Sequence, residues 1–129
     1  MVTREDVEGY LVRMELPFQE IEEGLWVIGD ERDLAPVFLT YTPPLLLVRV
    51  EVMDAPEDEE LRNGLFRELL ELNATDMVHG AYGLDEHEIV MIDTLQLADL
   101  DFGELQASLE SIMLALRGHY ETLLRYRKP

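Results

Sequence analysis

The residues of this 129-residue chain with the widest chemical range are three histidines and 28 carboxylates. His79, His87 and His119 could each ligate a metal or carry a proton. None of the three has a second histidine at metal-ligand spacing, and there is no His-Glu-x-x-His. His79 alternates with Met77 and Ala81 and reads as a sheet-face histidine. His87 falls in a polar turn. His119 falls late in a helix, where the carbonyl end welcomes a cation. Glycosidic chemistry needs two carboxylates across a cleft. Asp85 and Asp93 share a hairpin, and nothing in the sequence sets them across one. Asp93 interrupts an apolar strand and reads as an edge or bulge residue that tempers aggregation; the alternative is a ligand-reading group. Ser108 and Ser111 lie mid-helix without a paired histidine. Gly80, Gly83, Gly103 and Gly118 match no phosphate-binding fingerprint. There is no cysteine, hence no thiolate and no disulfide. The reading is a non-enzyme with no catalytic residue, no metal and no cofactor.

Composition narrows the partners. The net charge is −18, from 28 acids against 10 bases. Such a surface repels phosphate backbones and anionic lipid, so neither nucleic acid nor membrane is expected. An apolar content of 47% is that of a folded chain. The charge is uneven: residues 117–129 hold Arg117, Arg125, Arg127 and Lys128 against Glu121 alone. That basic end suits the negative pole of a helix dipole, or it docks on an acidic partner or sister subunit. The start, Met-Val-Thr-Arg-Glu-Asp, leads into no apolar leader, and a cytoplasmic location is expected.

The elements that must position these residues follow from periodicity. Thr3 caps a helix running to about Glu15, with Val7, Tyr10, Leu11 and Met14 as its stripe and Pro17 as its stop. Leu25 to Ile28 is a short strand closed by a turn at Gly29-Asp30. Val37 to Tyr41 and Leu45 to Met53 are two more, separated by Pro43-Pro44. In the last of these Leu46, Val48, Val50 and Val52 alternate with Arg49 and Glu51. A helix starts at Asp54 or Ala55, with Pro56 in its first turn, and reaches about Asn73. Met77 to Leu84 and Glu88 to Leu97 form a hairpin. Its second strand is apolar on both faces, with Val90 and Ile92 against Ile89, Met91 and Leu95. Asp101 and Glu104 open the last helix as a variant capping box, with Leu100 and Leu105 as a staple. The order is α–β–β–β–α–β–β–α. The fold expected is one α+β domain over 1–129, an antiparallel five-stranded sheet packed by helices.

The stretch from Leu69 to Met113 carries a resemblance. LLELNA at Leu69 to Ala74, HGAYGLDE at His79 to Glu86, and the LADLDFGEL entry to the last helix are similar to the YbjN and CesT-type superfamily, which includes type III secretion chaperones. The likeness runs over about Asp54 to Tyr126. It implies a homodimeric domain without enzymatic activity that binds an extended segment of another protein in apolar grooves. It also implies that Asn73 caps helix carbonyls and that Gly83 enables the hairpin turn.

The candidate protein-binding surface is Trp26, Phe38, Tyr41, Leu45 and Leu47, where large apolar area concentrates; some of that area is core, and Trp26 reads as core first and as a contact second. A strand buried on both faces needs cover on both sides. This makes Ile89, Met91 and Leu95 the candidate dimer interface, with the second helix as the other choice. A small-ligand pocket near Asp93 and His79, and a carboxylate-dependent enzyme, are the alternatives to a protein-binding module.

Overall fold

A computed structural model describes residues 1–29 and 35–127. Asp30 of the turn after Ile28, and Lys128 of the basic end, lie outside the described residues. The described residues form α1 (Arg4–Arg13), β1 (Phe18–Glu22), β2 (Leu25–Ile28), β3 (Val37–Thr42), β4 (Leu45–Asp54), α2 (Glu59–Thr75), β5 (Ala81–Asp85), β6 (Glu88–Gln96) and α3 (Phe102–Leu124). The strands make one antiparallel sheet in the order β1-β2-β3-β4-β6-β5.

The sheet therefore has six strands rather than the five expected. The additional one, β1, pairs Phe18 with Ile28 and Glu20 with Trp26, and carries a bulge before Glu22. Only Phe18 of its five residues is even partly buried. A strand at an edge needs no apolar alternation, and a charged, bulged edge discourages pairing with other chains.

β4 shows why the core forms where it does. Leu46, Val48, Val50 and Val52 are buried on one side of it. Registration brings Leu39 opposite Val48 on β3, and Met91 opposite Val50 on β6, so the inward row continues across strands. Val7 and Leu11 of α1, Leu65 and Leu69 of α2, and Leu105, Leu109 and Ile112 of α3 join the same buried cluster. All three helices thus cover the same face of the sheet.

Capping sets the helix starts. Thr3 Oγ1 accepts from the Asp6 N–H at 3.1 Å, and Asp6 Oδ2 accepts from the Thr3 N–H at 2.9 Å. Those bonds, the Thr3 N–H first, hold the Asp6 carboxyl below its ordinary range. Asp101 Oδ1 accepts from the Glu104 N–H at 2.8 Å and starts α3 where the sequence placed it. The start of α2 is a correction. β4 continues to Asp54, and Asp58 is the cap, its carboxylate accepting from the Leu61 N–H at 2.9 Å. Pro56 is buried ahead of the helix rather than inside it. The hairpin turn is likewise at Glu86 and His87, with Glu86 at φ 55°, and Gly83 lies within β5. β5 begins at Ala81, so His79 precedes the strand instead of alternating within it.

One glycine is fixed by crowding as well as by conformation. Gly80 has φ +81°, and a Cβ there would stand 2.8 Å from the Ile92 carbonyl oxygen and 3.6 Å from Ile112 Cδ1. Gly118, inside α3, has open space at the same position. Gly80→Ala is expected to destabilise the protein by about 1–3 kcal/mol, and Gly118→Ala to stabilise it by about 0.4–1 kcal/mol. Urea unfolding followed by circular dichroism reads both; equal effects would contradict this assignment.

Candidate functional site

Every second residue of the central strands points away from the helices. Across β2, β3, β4 and β6 this outer row contains Leu25, Val27, Phe38, Leu45, Leu47 and Ile92. An antiparallel sheet with one solvated face ordinarily turns polar residues outward. Here six outward residues are apolar, interleaved with Thr40 and Arg49: Ile92 is 43% exposed, and the other five are partly exposed. The face is bounded at the hairpin end by Glu51, Glu88 and Asp85, and at the opposite end by Thr42, Thr94 and Gln96.

The residues singled out from sequence divide between the two faces. Phe38, Leu45 and Leu47 come together on the open face. Trp26 does not: it is fully buried opposite Leu39, and its Nε1–H is directed at Glu8 Oε1 at 3.4 Å. Tyr41 stands opposite Leu46 on the helix-covered side, and its hydroxyl donates to the Val2 carbonyl at 2.9 Å. Both hold α1 and the N-terminal segment to the sheet. The candidate dimer residues also face inward. Ile89 is 1% exposed and Met91 fully buried, while Leu95 packs against the same core. The parity of β6 that presents outward is instead Val90 and Ile92. The missed contributors, Leu25 and Val27, share their strand with Trp26. Counting by two from Trp26 separates them from it, but which parity meets the helices is decided by packing.

The polar residues that suggested chemistry are committed to structure. Asp93 lies in β6, an internal strand, not at an edge or bulge. Its Oδ2 accepts from the buried Ser108 hydroxyl at 2.6 Å, and its Oδ1 from the Thr94 N–H at 2.9 Å. This pair pins α3 to β6. Asn73 does not cap its own helix. Its Oδ1 accepts from the Tyr82 N–H at 2.8 Å and its Nδ2 donates to the Tyr82 carbonyl at 3.1 Å, as a neighbouring strand would. The Tyr82 hydroxyl meets His119 Nδ1 at 2.7 Å, and His119 Nε2 meets Asp76 Oδ2 at 3.0 Å. A single neutral tautomer satisfies both contacts: Tyr82 donates to Nδ1, and Nε2–H donates to Asp76. Burial, and secondarily the charge of Asp76, push the Tyr82 hydroxyl above its ordinary value.

Among the described residues, no group of three or more histidines and carboxylates could hold a metal ion, and no buried side-chain polar atom lacks a partner. A cleft of about 980 Å³ lies between the end of β4, the start of α2 and the hairpin, with Phe66, Leu84, His87, Tyr126 and Arg127 in its lining. Neither Asp93 nor His79 borders it. No helix among the described residues is long and apolar enough to cross a membrane.

Stability at high pH should register Tyr82. Its folded-state value lies above the unfolded value of about 10, so its contribution is complete below that pH and is lost as pH rises toward the folded value. Urea midpoints should fall from about pH 10 upward, and Tyr82→Phe should make that decline shallower. An unchanged slope in the variant would remove Tyr82 from this role.

No curated protein matches this sequence. Among solved structures, the ExoU-SpcU heterodimer of the Pseudomonas aeruginosa type III secretion system contains a chain that superposes with a TM-score of 0.69 at 15% identity, covering 95% of this chain and 98% of that one. YbjN from E. coli superposes at 0.66 and 9% identity, over 95% and 96%. The Yersinia pestis type III secretion chaperone SycH, solved in complex with a fragment of YscM2, gives 0.63 and 14%, over 90% and 98%. The CesT_Tir_1 family profile matches residues 1–129. One sheet, three helices on one side and full-length agreement with that profile place the chain in the CesT_Tir_1 family, with the fold of the type III secretion chaperones.

Proposed function

We propose that this chain is a non-enzymatic, chaperone-like protein that binds an extended segment of a partner protein on the open face of its sheet. The observation that carries the reading is the apolar outer row over the central strands, left uncovered because all three helices take the other side. An extended chain suits such a face: its side chains alternate, and every second one can enter the row. Phe38, Leu45 and Leu47 are the anchors, with Leu25, Val27 and Ile92 completing the surface. Trp26 and Tyr41 act from beneath, by holding α1 against the strands that carry those anchors. Support comes from the fold's occurrence in ExoU-SpcU and in SycH with YscM2, both complexes of two different proteins. The strong negative charge favours basic partner segments and disfavours nucleic acid.

The working particle is a homodimer in this reading, formed through α2. That helix presents Leu70 at 69% exposure on a shallow surface with Phe66 and Gly64. The other choice, the inward parity of β6, is consumed by the core of the single chain.

Two substitutions separate these surfaces. Leu47→Glu should retain the fold by circular dichroism and weaken binding of extended leucine- and valine-bearing peptides by about tenfold or more, measured by fluorescence polarisation. Undiminished binding would overturn the face assignment. Leu70→Glu should convert dimer to monomer in sedimentation velocity. A dimer that persists at micromolar concentration would exclude α2 as its interface.

A further inference from the structure

Arg49 sits in the middle of the open face, between Phe38 on β3 and Ile92 on β6. Its guanidinium is not level with them. Nη2 lies 2.8 Å from Asp85 Oδ2 and 3.6 Å from Glu88 Oε1. Those two carboxylates face each other across the hairpin at its turn end. Between the level of Arg49 and that end stands Val90, flanked by Glu51 on β4 and Gly83 on β5. Val90 points outward yet is only 3% exposed. Arg49 thus reaches along the face past the level of Val90 to meet the two carboxylates.

The face therefore has two unlike halves. Leu25, Val27, Phe38, Leu45 and Leu47 form an apolar part. Glu51, Asp85 and Glu88, with Asp54 opposite Glu88, form an acidic end in which Arg49 is the one ion-paired cation among the described residues, an excess of three negative charges. The Arg49 pair is itself between one third and about one half exposed on each side, and an ion pair so placed is readily exchanged. Arg49 also demonstrates the fit: Asp85 and Glu88 already hold a guanidinium.

Resting on the docking reading above, we propose that the segment bound on this face is amphipathic along its length, presenting a basic side chain to Asp85 and Glu88 and apolar side chains from Phe38 toward Leu45. The carboxylate pair then fixes the register and direction of a segment that the apolar row alone would bind in several registers. Arginine suits the position better than lysine, because its planar fork engages two carboxylates at once. An acidic residue there is rejected by the excess negative charge.

Short fluorescein-labelled peptides of alternating leucine and threonine test this, with arginine, glutamine or glutamate at one end. Wild-type protein should bind the arginine peptide about five- to tenfold more tightly than the glutamine peptide at low ionic strength, and the glutamate peptide most weakly. The preference should shrink in high salt. In the double variant Asp85→Asn and Glu88→Gln the preference should vanish while affinity for the glutamine peptide stays within about twofold. A preference that survives in that variant overturns the assignment, as does a wild type indifferent to the terminal residue while Leu47→Glu still abolishes binding. Peptides that bind Leu47→Glu and wild type equally well would instead bring down the docking reading on which this one rests.

Discussion

The two-residue repeat of β4 is the constraint on which the rest of the molecule depends. Leu46, Val48, Val50 and Val52 are committed to the core, so Leu45, Leu47, Arg49 and Glu51 have no choice but the other side. A shift of one residue would exchange the two sets and expose four large aliphatic side chains. Registration passes this decision to β3 and β6 on either side, and from β3 to β2. The apolar outer row is thus not an oversight of packing. It is the second half of the same alternation, and it remains uncovered because the helices spend their apolar stripes on the first half.

The helices are held in that arrangement by a few directional contacts inside an otherwise apolar layer. Ser108 with Asp93 ties α3 to β6; Asn73 ties α2 to β5; Tyr82, His119 and Asp76 join α2, α3 and β5 at one point. Apolar contacts are tolerant of sliding, whereas hydrogen bonds made out of water are costly to leave unpaired. These residues resemble catalytic constellations by type alone. Their geometry is closed, each polar atom meeting another protein atom, which is the geometry of a joint.

Much of the architecture was legible because strong local signals coincide with it. Thr3 and Asp101 are true caps, β4 shows its alternation plainly, and the quoted similarity between Leu69 and Met113 pointed to the family that the full-length match establishes. The failures have physical causes. β1 is an exposed edge, so burial imposed no pattern on Phe18–Glu22. Asp58 was hidden by Pro56, which is as acceptable in an approach to a helix as in its first turn. Asp93 looked like an interruption of an apolar strand because its partner, Ser108, is 15 residues away on another element. The candidate site was half legible. Phe38, Leu45 and Leu47 were singled out by composition and share the outer face, but composition cannot distinguish the two sides of a strand. Trp26 and Tyr41 therefore travelled with them, and β6, apolar on both sides, offered Ile89 and Met91 as readily as Val90 and Ile92.

The placement of Asn73 has a further consequence for how copies of this protein can meet. Its carboxamide occupies the outward N–H and carbonyl of Tyr82 on β5, the last strand of the sheet on that side. The amide thus answers at Tyr82 the exposed edge that two glutamates and a bulge answer on β1 at the other margin. A strand of another copy that approached β5 would have to displace Asn73 from both bonds before pairing with Tyr82.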